Sequence, residues 1–102
     1  MTYELVFDKN FEKSYRKLDK SLQIQGNKKI IKLKENPYAM GKPLGILKGF
    51  RELYLGSYRI YYFIQDNKIR ILFLDLSHKD EQQKYLNQIT AEKIRQLAEE
   101  NS

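Results

Sequence analysis

Three apolar runs in the middle of the chain limit what this sequence can fold into more than any other feature. The first, residues 50–55, is followed by Gly56-Ser57, a pair that suits a two-residue hairpin turn. The second, residues 58–64, is the densest run of β-type residues, and the polar residues 65–68 close it. A third run covers residues 69–76. The pattern predicts a three-stranded antiparallel meander with residues 58–64 in the middle.

Alternation along that middle strand separates its two faces. One face carries an apolar set that we expect to pack against helices: Ile60, Tyr62 and Ile64. Arg59 lies on the other face. We expect Arg51 beside it on the neighbouring strand, and the His78-Lys79 pair where the last strand ends. Together these residues predict a basic cleft.

A purely structural role for Arg59 is the alternative. Its guanidinium would then pair with Glu52 or Asp75 and only keep an open sheet face soluble. The alternation pattern is compatible with both interpretations.

The N-terminal part of the chain predicts an edge strand and a helical hairpin. Residues 3–8 alternate as in a strand, and Asp8 or Asn10 can cap the helix that follows. The apolar face of that helix is formed by Phe11, Tyr15 and Leu18. Ser21 is expected to cap a second helix, which must stop at Asn36 because a proline follows. The apolar side of the second helix is predicted to comprise Leu22, Ile24, Ile30, Ile31 and Leu33.

Glycine and proline punctuate residues 37–49, so this segment predicts a loop. After His78 the apolar spacing becomes helical again, and Thr90 is expected to cap a final amphipathic helix over residues 90–100. The predicted fold class is α+β. An N-terminal helical hairpin packs on a small, mainly antiparallel four-stranded sheet, and a C-terminal helix follows.

Length and composition bound the class of protein. A chain of 102 residues predicts one domain, residues 1–102, with a single core. The formal net charge of +6 favours polyanionic partners, with nucleic acid first and an acidic protein second. No apolar run approaches the roughly 20 residues that span a bilayer, and the N-terminus has no signal-peptide layout. We therefore expect a cytoplasmic protein without a membrane partner.

The inventory of reactive side chains excludes several mechanisms. The single histidine excludes a two-histidine ribonuclease, and the absence of cysteine excludes thiolate chemistry. No glycine-rich turn precedes a helix in the manner of a phosphate-binding loop. We expect neither a metal site nor a cofactor. The remaining candidates for holding a phosphate and exchanging protons are basic or phenolic: Arg51, Arg59, His78, Lys79 and Tyr85.

These candidates lie within a longer pattern. The segment KPLGILKGFREL, residues 42–53, continues through GSYRIYY at residues 56–62 to the His78-Lys79 pair and Tyr85. In order and spacing, these motifs resemble the RelE/ParE superfamily of toxins from toxin-antitoxin systems. The resemblance covers nearly the whole chain, including the leading strand and the helical hairpin.

In the messenger-cleaving RelE branch, the resemblance implies a type II toxin that is a ribosome-dependent, metal-independent endoribonuclease. Its partners would be mRNA in the ribosomal A site and a RelB-like antitoxin. The messenger's own 2′-hydroxyl would attack the adjacent phosphate. The resemblance places Arg59 and Lys79 on that phosphate and Tyr85 against a base, with Lys48 and Arg51 as further RNA contacts.

The resemblance leaves the general base open. The family often has two basic residues two apart on the first meander strand, whereas here Leu53 follows Arg51 at that spacing. His78 can substitute, because imidazole transfers protons near neutral pH.

Two other functions are compatible with the same features. A ParE-like toxin shares the fold but poisons DNA gyrase instead of cutting RNA, and the presence of His78, Lys79 and Tyr85 argues against it. A non-catalytic module would use the basic face only to dock nucleic acid or an acidic protein segment.

Overall fold

The computed structural model describes residues 2–101, so Met1 and Ser102, the ends of the predicted domain, lie outside the described range. One sheet is formed by five strands: β1 (Glu4–Phe7), β2 (Lys42–Pro43), β3 (Phe50–Leu55), β4 (Tyr58–Gln65) and β5 (Arg70–His78). The strand order is β1-β5-β4-β3-β2. The α-helices of residues 2–101 are α1 (Lys9–Arg16), α2 (Lys20–Glu35), α3 (Gln82–Gln88) and α4 (Ala91–Glu100).

The predicted meander is confirmed. Strands β3, β4 and β5 pair in antiparallel fashion, and Leu55 pairs with Tyr58 around the Gly56-Ser57 turn. Gly56 has a positive φ of 57°, which glycine adopts without steric cost. Strand β1 lies at a sheet edge, as predicted, and runs parallel to β5. The predicted count of four strands is wrong, because β2, inside the predicted loop, pairs with β3. Two residues are too few to show alternation.

The helical hairpin and its caps are mostly as predicted. Asp8 caps α1, and the hydroxyl of Thr90 caps α4. The second helix ends before Asn36. The predicted cap at Ser21 is wrong, because α2 begins earlier and Asp19 caps it by accepting a hydrogen bond from the Leu22 backbone at 2.9 Å.

One face of the sheet packs against this hairpin. The buried residues of that core are Phe11, Leu18, Ile30, Leu33, Leu53, Leu55, Ile60, Tyr62, Ile64, Ile71, Phe73 and Leu76. The predicted positions of Ile24 and Ile31 in the core are wrong, since these residues are 49% and 61% exposed. At about 100° per residue, both lie on the side of α2 opposite Leu33.

The opposite face of the sheet is covered by a second core. It contains Phe50, Tyr61, Leu72, Leu74, Ile89, Ile94 and Ala98. Two C-terminal helices, α3 and α4, supply this layer, which agrees with the helical spacing after His78 and the final helix predicted from the sequence. Buried Arg70 helps to hold α4, because its Nη2 donates to the carbonyl of Ala98 at 2.8 Å, in the last turn of the helix. The open sheet face that the purely structural alternative for Arg59 assumed is therefore wrong, and Arg59 lies at the margin of a second core. Among residues 2–101, no helix has the length and apolar character needed to cross a membrane.

Candidate functional site

The two-residue turn determines which side chains surround Arg59. Because Leu55 pairs with Tyr58, Tyr54 lies directly opposite Arg59, and Glu52 is the next residue on that face. Directly opposite residues of an antiparallel pair share a face. The guanidinium of Arg59 lies over the Tyr54 ring, with its Cζ 3.8 Å from the ring centroid. This distance allows a cation–π attraction.

Arg59 also faces a buried carboxylate. Its Nε lies 3.8 Å from Oε1 of Glu52, and the Arg59 side chain is 15% exposed. Gln82, the first residue of α3, donates an amide hydrogen bond to the same Glu52 oxygen at 2.7 Å. Nη1 of Arg59 donates to the carbonyls of Gly56 and Tyr58 at 3.2 and 2.9 Å. Within residues 2–101, these are the hydrogen bonds that the Arg59 side chain makes, and Nη2 takes part in neither of them.

Tyr61 connects this face to α3. Its fully buried ring stacks on Tyr85, with centroids 4.1 Å apart and planes 11° apart. Its hydroxyl lies 2.7 Å from Oγ of Ser77. Burial is the main cause that raises the pKa of both phenols above the ordinary value of 10.0, and the charge of Asp75 raises that of Tyr85 further. Both phenols therefore remain protonated at neutral pH and are suited to stacking or to donating a hydrogen bond.

We call this set the Arg59 site: Glu52, Tyr54, Arg59, Tyr61, Gln82 and Tyr85. Lys79, another predicted residue, lies beside it. The Lys79 backbone N–H donates to the carbonyl of Ser57 at 2.7 Å, next to the Gly56 carbonyl that Arg59 binds. The Lys79 side chain is exposed. Of the predicted residues, the structure thus brings Arg59, Lys79 and Tyr85 to one end of the sheet.

Arg51 does not join them. It pairs with Tyr62, so it lies on the opposite face, where its Nη2 donates to the carbonyls of Met40 and Gly41 at 3.3 and 3.2 Å. The expectation that Arg51 lies beside Arg59 is wrong. A two-residue turn pairs odd-numbered with even-numbered residues, so two odd-numbered residues on the facing strands lie on opposite faces.

His78 and Lys48 are also separated from the Arg59 site. His78 pairs with Tyr58, and its ring makes an edge contact with the Tyr58 ring at 5.4 Å on the face of the helical hairpin. Its Nδ1 accepts a hydrogen bond from the Asp80 backbone at 3.1 Å. Lys48 precedes β3 at the opposite end of the meander. The predicted basic cleft is therefore smaller than expected.

Glu52 and Gln82 were not predicted as site residues. Pairing of Arg59 with Glu52 was one of the expectations for a structural role, and that pairing is confirmed. Glu52 could have been found from the sequence, because the two-residue turn places it on the same face of the sheet as Arg59. Gln82 could not, because its contact depends on how α3 packs against the sheet. No group of three or more histidine or acidic side chains that would suit a metal ion occurs among residues 2–101.

A model of a known protein family matches most of the chain. The family model described as the ParE toxin of the type II toxin-antitoxin system, parDE, matches residues 5–83. That segment contains Arg59, Glu52, Lys79 and Gln82, while Tyr85 follows it. No curated protein matches the chain.

Solved RelE toxins have a similar fold. A chain of the intact E. coli RelBE toxin-antitoxin complex is 28% identical, with a TM-score of 0.67 over 74% of this chain and 95% of that chain. A mutant of E. coli RelE in the free state is 27% identical, with a TM-score of 0.72 over 83% and 92%. A chain of the archaeal RelE-RelB complex from Pyrococcus horikoshii, 20% identical with a TM-score of 0.65 over 78% and 97%, shares the fold. The chain belongs to the ParE toxin family of type II toxin-antitoxin systems, within the RelE/ParE superfamily.

Proposed function

We propose that this toxin cleaves messenger RNA on the ribosome. The observation that carries the proposal is the Arg59–Glu52 pair, a fixed cation and a buried carboxylate 3.8 Å apart. Strand cleavage by a 2′-hydroxyl needs a proton acceptor for that hydroxyl, positive charge for the phosphate and a proton donor for the leaving oxygen. The Arg59 site and the adjacent Lys79 offer all three.

In the proposed reaction, the messenger's 2′-oxygen attacks the adjacent phosphorus while the Glu52 carboxylate takes the hydroxyl proton. The bond from phosphorus to the 5′-oxygen breaks, which leaves a 2′,3′-cyclic phosphate. Nη2 of Arg59 stabilises the extra negative charge on the phosphate oxygens. The Lys79 ammonium donates a proton to the leaving 5′-oxygen.

Glu52 takes the place of His78 as the proposed base. The His78 ring contacts Tyr58 on the other face of the sheet, and the Arg51 guanidinium is bound to backbone carbonyls there. Tyr85 keeps its proposed contact with a messenger base. One side of its ring is stacked on Tyr61, so a base that stacks on Tyr85 would extend an existing aromatic pair.

The proposal includes an antitoxin partner. Two of the similar structures are complexes of RelE with RelB, from E. coli and from Pyrococcus horikoshii. For this chain we propose a RelB-like antitoxin with an acidic segment, because the formal net charge is +6. Copurification with such an antitoxin should weaken as salt rises.

A ParE-like action on DNA gyrase is the second candidate, because the matching family model is that of a ParE toxin. The two functions are distinguished by mapping messenger 5′ ends after induced expression and by assaying gyrase supercoiling with the purified toxin. New 5′ ends within coding sequences, with normal supercoiling, support messenger cleavage. Inhibited supercoiling without new 5′ ends overturns it.

A further inference from the structure

A second cleft lies at the other end of β4 from Arg59. Its volume is about 380 Å³, and it opens between the loop before β3, the turn after β4 and helix α4. We call it the distal cleft. Its lining includes Tyr38, Lys48, Phe63, Asp66, Lys68 and Arg95. The Arg59 site does not contribute to this lining.

Three exposed cations from three different segments line the distal cleft: Lys48, Lys68 and Arg95. The ion pairs found within residues 2–101 involve none of them. Two acidic residues, Asp66 and Glu99, also line the cleft. Both oxygens of Asp66 are already bound, by the hydroxyls of Tyr3 at 2.7 Å and Tyr38 at 2.6 Å. The charge of Lys48 helps to lower the pKa of Asp66, so Asp66 stays ionised and faces Lys48. The three cations still outnumber the two acidic residues, which leaves the cleft with a net positive charge for an anion.

The distal cleft also has a fixed aromatic surface. The residue Tyr38 is 48% exposed, its hydroxyl is bound to Asp66, and its ring lies 5.3 Å from Cζ of Arg51. The segment that carries Lys48 is held against β4 by the hydrogen bond from the Ile64 backbone to the Gly49 carbonyl at 2.8 Å. A preorganised exposed ring beside several cations is the combination that binds single-stranded nucleic acid.

We propose that the distal cleft binds a nucleotide of the same single-stranded RNA that the Arg59 site cuts. The phosphate lies among Lys48, Lys68 and Arg95, and the base stacks on Tyr38. Phe63 in the cleft and Arg59 are on the same strand, roughly 13 Å apart at about 3.3 Å per residue. One strand of RNA can therefore reach both sites. This inference rests on the proposed function and adds a second contact that aligns the messenger.

The test measures binding of a labelled single-stranded oligoribonucleotide by fluorescence anisotropy over a range of salt concentrations. All proteins carry Arg59→Ala, so that the RNA is not cut. The cleft variant combines Lys48→Ala, Lys68→Ala and Arg95→Ala. The matched control combines Lys13→Ala, Lys20→Ala and Lys28→Ala, which removes the same charge from exposed positions of the helical hairpin.

The cleft variant should bind RNA about tenfold or more weakly than the parent. The slope of log affinity against log salt should fall by about 0.7 for each phosphate that the variant no longer neutralises. The control should bind nearly as the parent does. Tyr38→Ala should weaken binding without changing the slope, whereas Tyr38→Phe should retain the affinity. Thermal unfolding of each variant verifies that it is folded.

Equal losses of affinity in the cleft variant and its control would overturn the proposal, as would failure of the parent to bind RNA. Tighter binding of an acidic peptide or of DNA of the same sequence in the cleft would also overturn it. Binding is read with free RNA and without cleavage, so failure of the messenger-cutting function would appear in a different assay.

Discussion

Arg59 and Glu52 lie diagonally across β3 and β4, with Nε of Arg59 3.8 Å from Oε1 of Glu52. The guanidinium of Arg59 stacks on the Tyr54 ring, and the side-chain amide of Gln82 in α3 donates a hydrogen bond to the Glu52 carboxylate. The meander thus positions the cation, and the docked helix restrains the carboxylate. Because the two charges attract each other in this arrangement, an RNA phosphate would have to compete with Glu52 for Arg59 in the proposed reaction. Such competition would release the carboxylate to accept a proton when substrate binds.

Replacing Arg59 with alanine should lower messenger cleavage far more than stability. Losing one preorganised donor of transition-state charge typically costs about 100- to 1,000-fold in rate. The partly exposed ion pair and cation–π contact together contribute about 1 to 2 kcal/mol to the free energy of unfolding. Cleavage on programmed ribosomes and urea unfolding measure the two effects. Arg59→Lys, which keeps the charge but not the planar fork, should be intermediate in rate. Parental activity in Arg59→Ala would contradict the assignment.

Glu52→Gln tests the general base. Glutamine keeps the shape of the side chain and a partner for Gln82 but does not accept the proton, so the rate should fall by about 100- to 10,000-fold. Gln82→Ala leaves the carboxylate in place and should cost less. If Glu52→Gln were fully active, Glu52 would serve only to neutralise Arg59.

Tyr85→Phe should retain most of the cleavage activity. The raised pKa of Tyr85 makes its phenol a poor acid and base at neutral pH, so stacking is the property that matters. Tyr85→Ala should lose activity and roughly 2 kcal/mol of stability, because it removes the ring packed on Tyr61. Thermal unfolding and ribosomal cleavage assays compare the two variants. Equal losses of activity in both would assign a chemical role to the hydroxyl.

The strand register around Arg59 could be predicted from the sequence. A two-residue turn at Gly56-Ser57 pairs Leu55 with Tyr58, and counting back from it places Arg51 opposite Tyr62. Alternation and tight turns are local signals, which is why the meander and the hairpin core could be predicted. Because this turn pairs odd-numbered with even-numbered residues, the same count would have placed Arg51 and Arg59 on opposite faces of the sheet.

The second layer could not be predicted in the same way. The apolar residues of α3 and α4 indicate that these helices pack, but not on which face of the sheet. The contact of Gln82 with Glu52 joins residues 30 positions apart and depends on that docking. The distal cleft likewise brings together Lys48, Lys68 and Arg95 from three separate segments. Their proximity is a tertiary property without a local pattern.

Tyr38→Phe should change how stability depends on pH. The pKa of Tyr38 is raised to about 12, first by burial and then by its hydrogen bond to Asp66, and that bond is the main cause that lowers the pKa of Asp66. The lowered pKa of Asp66 contributes stability above its ordinary value of 3.8, which is lost as pH falls through the folded value. The raised pKa of Tyr38 contributes stability below 10.0, which is lost as pH rises toward about 12.

The stability advantage of the parent over Tyr38→Phe should therefore be largest between about pH 5 and pH 10 and shrink on both sides. Thermal unfolding midpoints measured from acidic to alkaline pH, beyond both ends of this range, test this. A difference that stays constant from acidic to alkaline pH would show that the Tyr38–Asp66 hydrogen bond does not cause the shifts.

The most direct test compares purified toxin on naked messenger with the same toxin on ribosomes programmed with that messenger, with a chelator in both reactions. In the proposed reaction, the Arg59 site supplies charge and a proton acceptor, and the ribosome holds the 2′-hydroxyl in line with the phosphate. Such positioning is worth about 7 to 11 kcal/mol of barrier. We predict rapid cutting of the ribosome-bound messenger and very slow cutting of naked RNA. Equally rapid cutting of naked RNA, or an intact messenger on toxin-treated ribosomes, would contradict the account.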